Sequence, residues 1–397
     1  MSSTDILPPT RPESQLVTIF GGSGFLGRHV VRALAKRGYR IRVAVRRPDL
    51  ALFLQPLGKV GQIIAVQANL RYPDSIRRAV ERSDIVINLV GILQERGSQG
   101  FEGLQTEGAG EIARAAAAVG ARLVHVSALG ADEASASLYA RSKALGEARV
   151  LEAVPGAVLF RPSIVFGPGD SFFNRFAKLA TQIPVLPLAG AGTRFQPVFV
   201  GDVAEAVALA VDGRAQPGTV YELGGPEVAT LEHLVRYMLE VTMRRRAVLD
   251  LPLVAARIQA RVLEFADMLT LGLLPDDLKL TRDQVTLLQT DNVVSDAAKA
   301  EARTIEALGI IPTAVEAVVP GYLWRFRKAG QFAQGRGTEE QAMVPDMIAP
   351  VPEGPGSQHR PTTASGPAIG ADAAGAAPRA TREAAARAKG MRWGTRA

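Results

Sequence analysis

Tyr139 and Lys143 are four residues apart in the run Tyr139-Ala140-Arg141-Ser142-Lys143. On a helix, that spacing sets a phenol and an ammonium on one face. The lysine can lower the tyrosine pKa, and the tyrosine can then act as general acid or base. Ser127, just upstream, can polarise a carbonyl group. The alternative is a Lys143 that only holds a cofactor beside an idle Tyr139. A second cluster is built on glycine: Gly21, Gly24 and Gly27 recur at three-residue spacing in LVTIFGGSGFLGR, residues 16–28. Glycine permits positive φ and a close backbone approach to a ligand. Free N–H groups at a helix start, with the helix dipole, attract anions. A strand, a glycine turn and a helix in that order predict a dinucleotide pyrophosphate site, with Phe25 and Leu26 in the first helical turn. A glycine turn without a ligand is the other reading. The G-x-x-G-x-x-G spacing departs from the commoner G-x-G-x-x-G fingerprint.

Further residues extend this reading along a nucleotide. Arg46 and Arg47 close the second predicted strand, with no acidic residue before Asp49. An acidic side chain there would accept from the ribose 2′-hydroxyl of NAD, whereas arginine suits a 2′-phosphate. NADPH is therefore expected over NAD; a solvated basic loop is the alternative. Asn69 follows the third strand and either contacts adenine or serves a turn. Leu89, Val90 and Gly91 follow Asn88 at the end of the fourth strand, where a close-passing ribose and pyrophosphate are expected. Pro162 and Ser163 follow the sixth strand near the nicotinamide end, and Lys143 is placed at the nicotinamide ribose. Asp202, in Gln196–Ala204, reads as a helix N-cap with a mainly structural role.

The elements that must position these residues follow from hydrophobic periodicity. Strands are predicted at 16–20, 40–45, 61–66, 84–90, 122–126 and 157–160, with a late one at 219–223. Helices are predicted at 24–37, 74–81, 105–119 and 137–153. Strict β-α-β alternation means an α/β fold with a doubly wound parallel sheet. From Gly167 the pattern loosens, with helical segments at 172–180, 201–211 and 230–243. Pro252 opens an apolar-rich helix through about Leu271, in which Arg257 and Arg261 suit a surface packed on a partner or an ordinary core helix. The expected organisation is a flexible N-terminus at 1–15, a nucleotide-binding domain at 16–225, a smaller, mostly helical region at 226–333 and a disordered Ala/Pro/Gly-rich basic tail at 334–397.

Composition narrows the function classes. The chain has 397 residues, a net charge of +7 and no cysteine, which removes disulfides, zinc thiolates and thiol nucleophiles. The four histidines are scattered without metal-ligand spacing, so no metal is expected. No nucleic-acid motif accompanies the positive charge. Part of that charge lies in residues 351–397, where seven basic residues face three acidic ones. That tail reads as solvated, or as a dock for an acidic partner or membrane surface. The N-terminus has no signal-peptide h-region and no long apolar run occurs. A soluble or peripheral protein of a reducing compartment is expected.

The segments GGSGFLG (21–27), NLVG (88–91), HVSALG (125–130), YARSK (139–143), RPSIVFG (161–167) and QPVFVGDVA (196–204) together resemble the short-chain dehydrogenase/reductase superfamily, extended or atypical branch. The resemblance implies a Rossmann-type sheet. Within that superfamily, RPSIVFGPGDSFFNRFA (161–177), IPVLPL (183–188), KLTRDQV (279–285) and the LGI segment (308–310) are most similar to the family of NADPH-binding accessory subunits of respiratory complex I and their bacterial relatives. That family implies a tightly held NADPH in a structural, assembly or redox-sensing role, with complex I subunits as partners. The expected location is cytoplasmic or peripheral on the cytoplasmic face of the inner membrane, the matrix side if organellar. Carried over by position, Gly21, Gly24 and Gly27 hold the pyrophosphate, Arg46 the 2′-phosphate, and Tyr139 and Lys143 the nicotinamide ribose. Asn69 stands where the superfamily commonly has an acidic residue. The intact Ser127, Tyr139 and Lys143 set leaves a second function open: an active reductase, epimerase or dehydratase acting on a quinone precursor, nucleotide sugar or isoprenoid. A sensor that regulates a partner through NADPH is a third.

Overall fold

A computed structural model of the chain describes residues 12–95, 97, 99–252 and 281–328. Seven parallel strands form its centre: β1 (Leu16–Phe20), β2 (Arg40–Val45), β3 (Ile63–Gln67), β4 (Ile85–Asn88), β5 (Arg122–Val126), β6 (Val158–Pro162) and, later in the chain, β11 (Val220–Leu223). Their spatial order is β3-β2-β1-β4-β5-β6-β11. Strands β1 and β4 are buried throughout, as expected when helices cover both faces of a parallel sheet. The chain builds outward from β1 to β3, then crosses back to β4 on the other side of β1. This reversal opens a crevice at the carboxyl ends of β1 and β4, where doubly wound folds bind ligands.

Helices α1 (Phe25–Lys36), α2 (Pro73–Val80), α3 (Gly108–Ala118) and α4 (Leu138–Ala153) connect the strands. The apolar side chains of α1 pack with Val203 and Val207 of α6 (Val200–Val211) on one face of the sheet. Helices α2 and α3 cover the other face. The expected helix at 105–119 has a different start: Glu102–Glu107 is a π-helical turn that runs into α3. Gly146 of α4 explains how the wide turn fits, because a Cβ there would lie 2.2 Å from the Gln105 carbonyl oxygen. After β2, Pro48–Leu57 is 3-10 helical and buries Ala51 and Leu54.

A second core lies beyond β6. Phe166 and Phe173 pack there with Leu231, Leu234 and Met238 and with Val319 and Leu323. It is carried by α5 (Phe172–Gln182), α7 (Leu231–Val241) and short helices near residue 320. Short strands add to the helices expected here. β7 (Val165–Phe166) pairs in parallel with β10 (Val198–Phe199), β8 (Val185–Ala189) in parallel with β13 (Ala247–Leu251), and β9 (Arg194–Phe195) pairs with β12 (Ala229–Thr230). These lie too far from their partners in sequence for local periodicity to reveal them. The helix expected from Pro252 to Leu271, with Arg257 and Arg261, falls almost wholly outside the described residues, as do most of the N-terminal segment and the whole 334–397 tail. Among the described residues, no helix is long and apolar enough to cross a membrane.

Candidate nucleotide site

The glycine turn sits at the carboxyl end of β1. Gly21 has φ +80°, a conformation glycine adopts without strain, and a Cβ there would lie 3.1 Å from the Leu89 backbone. Gly27 is tighter still: its Cβ would lie 2.3 Å from the Gly21 carbonyl oxygen. The turn therefore draws α1 against the end of β1 and the loop after β4, bringing Gly21, Gly27, Leu89 and Val90 together. The α1 N-cap is Gly24, with no side-chain cap, so the first-turn N–H groups, including those of Phe25 and Leu26, stay available to an anion. The Phe25 ring itself turns to His29, edge to face at 5.9 Å.

At the end of β2, Arg46 and Arg47 are both exposed. Arg47 is tied to Asp49 at 2.9 Å, while the Arg46 guanidinium makes no ion pair among the described residues. Of these two arginines, Arg46 is the one without a carboxylate partner among the described residues. The Asn69 carboxamide oxygen accepts the Arg71 amide at 3.2 Å, a local turn contact.

The opposite end of the crevice is buried. Lys143 and Ser127 are nearly inaccessible. The Lys143 ammonium donates to the Val126 carbonyl at 3.4 Å, beside Ser127. A Cβ on Gly91 would lie 3.1 Å from Lys143 Nζ, so a glycine at that point leaves the ammonium its place. Burial lowers the Lys143 pKa to about 8, against the favourable charge of Glu147 one turn on. Glu147 is itself held by Arg161, whose Nε donates at 2.9 Å. Tyr139 packs edge-on against Phe101, centroids 5.9 Å apart, and burial pushes its phenol up to about 12. The expected lowering of the tyrosine pKa by the lysine is not found: desolvation dominates, and the shift runs upward.

Two residues here were not singled out by sequence. Asn88 accepts the Val90 amide at 3.0 Å through Oδ1, which orients its amide so that Nδ2 donates to His125 Nδ1 at 3.1 Å. The His125 proton then sits on Nε2, and burial followed by the Lys143 charge holds its pKa down to about 3. Among the described residues, His125 Nε2, Ser127 Oγ and Gln105 Oε1 are buried without a hydrogen-bond partner. Unpaired buried polar atoms are costly, and such a group calls for a ligand or water to satisfy it. Pro162 ends β6 and receives the Leu129 amide on its carbonyl. Ser163 follows it, and its hydroxyl donates to Asn292 Oδ1 at 2.7 Å. Its contact is with the C-terminal part of the chain.

A glycine cradle, an uncapped helix start, one free arginine and unpaired polar atoms at the far end together fit a dinucleotide. Among the described residues no group of three or more His, Asp or Glu side chains could hold a metal. The fold and site thus define a nucleotide-binding, doubly wound α/β protein. More narrowly, the chain belongs to the NAD dependent epimerase/dehydratase family, which matches residues 17–224. It is similar to the mitochondrial NADH dehydrogenase (ubiquinone) 1 alpha subcomplex subunit 9 of Arabidopsis thaliana, 34% identical over 320 residues and 79% of each chain. It is also similar to the ceramide reductase of Caulobacter vibrioides, 39% identical over 189 residues, 48% of this chain and 58% of that one. An NADPH-dependent quinone oxidoreductase of Escherichia coli, crystallised with NADPH, shares the fold at a TM-score of 0.59 and 20% identity, over 76% of this chain and 98% of that one.

Proposed function

We propose that this chain is an NADPH-binding accessory subunit of an NADH:ubiquinone oxidoreductase of the complex I type, with a structural, assembly or redox-sensing role. The observation that carries this reading is the reach of the similarity: 320 residues aligned with the Arabidopsis subunit, well past the residues 17–224 of the nucleotide-binding family. A nucleotide fold alone would account for the first part only. The free Arg46 supports NADPH over NAD, since a guanidinium and a 2′-phosphate form charge-assisted hydrogen bonds. Gly21, Gly24 and Gly27 cradle the pyrophosphate, Leu89, Val90 and Gly91 line its path, and Tyr139 and Lys143 hold the nicotinamide ribose. Bound there, the nucleotide supplies a hydride donor; the residues around it orient it and keep it from water. The partners are complex I subunits, and the location is peripheral to the membrane that holds them.

The test is purification of the full chain from its own cells, with identification of the nucleotide carried along and of co-purifying proteins. NADPH that exchanges slowly, recovered together with complex I subunits, is the expected outcome. A free protein whose deletion leaves complex I assembled and active overturns the proposal. A second reading, an active NADPH-dependent reductase, rests on the buried, unpartnered Ser127 hydroxyl beside Lys143 and on the likeness to the ceramide reductase. Tyr139→Phe separates the two: it abolishes turnover if the chain is an enzyme, and at most loosens the nucleotide, with complex I still assembled, if the nucleotide is simply kept.

A further inference from the structure

Residues 281–294 come back to the carboxyl edge of the sheet from far along the chain. Thr281 opens a short helix with a capping box closed by Gln284. Inside its first turn, the Asp283 carboxylate accepts the Leu138 amide at 2.6 Å, the Ser137 hydroxyl at 2.9 Å and the Tyr139 amide at 3.3 Å. It is the anion at the N-terminus of α4, the helix that bears Tyr139 and Lys143. The first amides of a helix have no intrahelical acceptor, and a negative charge there also complements the dipole. Further along the same segment lies Asn292. It accepts the Ser163 hydroxyl at 2.7 Å and donates through Nδ2 to the Leu129 carbonyl at 3.4 Å. Its backbone bonds Arg194 and Gln196. Leu129 lies two residues after Ser127, and Ser163 follows Pro162. One short segment thus grips the start of α4, the loop after β5 and the end of β6, the three places that carry the nicotinamide-end residues.

We propose that residues 281–294 form a strap belonging to the nucleotide site, in which Asp283 and Asn292 are positioning residues and strap seating is linked to NADPH occupancy. The proposal rests on the nucleotide-binding reading above. Linkage is reciprocal: if the seated strap favours NADPH, then NADPH holds the strap in place, and anything that lifts the strap weakens NADPH equally. Asp283 sits 140 residues from Lys143, so the link runs through α4 as a rigid body and not through neighbouring sequence.

The experiment is NADPH titration and hydrogen–deuterium exchange on the full chain, on Asp283→Asn and on Asp283→Ala. In the unaltered chain, NADPH slows exchange at 16–28, at 137–143 and also at 281–294. Asp283→Ala weakens NADPH roughly tenfold, the scale of a lost charge-assisted helix cap. It keeps protection at 16–28 and loses it at 281–294. Asp283→Asn, which keeps one acceptor and the size, lies between the two. Two results overturn the proposal: unchanged NADPH affinity in both variants with only a lower melting temperature, or no NADPH-dependent protection at 281–294 in the unaltered chain. Failure of the unaltered chain to bind NADPH at all, seen as no protection at 16–28, removes the nucleotide-binding reading and this proposal with it.

Discussion

The two ends of the crevice are built on opposite plans. At the adenosine end, side chains are exposed or half-buried and their partners are close in sequence: Arg47 bonds Asp49, and Asn69 bonds Arg71. At the nicotinamide end, side chains are buried and the contacts span long stretches of chain. Lys143 reaches Val126 and takes the space that a side chain on residue 91 would need, Ser163 reaches Asn292, and Asp283 caps the helix of Tyr139. The exposed end can discriminate between nucleotides at little cost to stability. The buried end holds polar atoms without a partner among the described residues and a lysine whose pKa burial lowers, groups that a bound nucleotide would satisfy. On the proposed function, one end selects the nucleotide, and the other is where binding it would change the protein.

Substitutions sharpen the contrast, and the largest effect belongs where both plans meet, at the glycine turn. Gly27→Ala must displace the Gly21 carbonyl, which a Cβ would approach to 2.3 Å. We expect about 3 kcal/mol of lost stability, the upper range for overpacking, and no measurable NADPH binding, read by thermal unfolding and calorimetry. Next comes Lys143. The unfolded chain keeps this proton up to the ordinary value near 10.5, while the folded chain releases it near 8. Between those values the unfolded state binds more protons, so stability rises with pH across that window. Urea unfolding at several pH values should show the rise, and Lys143→Met should flatten it; an unchanged profile would show that the ammonium is well solvated. The smallest effects belong to the exposed end. Arg46→Asp should shift preference from NADPH towards NADH by roughly tenfold with the melting temperature unmoved, since one charge-assisted contact is at stake. Arg47→Ala should change nucleotide affinity by only about twofold, because an exposed pair with Asp49 is worth little. Equal effects at the two arginines would mean that the Asp49 pair opens when nucleotide binds.

Much of the nucleotide half was legible in the sequence. β1, α1, β2 and β5 follow local period and punctuation, and a glycine turn announces itself because few residues can replace it. The late strand at 219–223 is also local, but its place beside β6 is not. Less was legible at the buried end. Tyr139 and Lys143 have a spacing that any helix exposes, yet the direction of the tyrosine pKa depends on desolvation, which spacing does not encode. Asn88 and His125 are ordinary strand residues until the sheet sets them side by side. Asp283 lies in a visible helix-start pattern whose other half, the start of α4, is far off in the chain.

The sequence by itself determined that a strand, a tight glycine turn and a helix would follow one another, that arginines would stand at the end of the second strand, and that a phenol and an ammonium would be one helical turn apart. Each is a matter of residues within about one turn of helix or one strand of one another, where backbone geometry sets distance. Only the tertiary structure decided which arginine is free, which way the buried groups titrate and that residues 281–294 close over the helix of Tyr139. Those depend on burial and on contacts between distant segments, and both exist only once the sheet has brought its carboxyl ends to one edge.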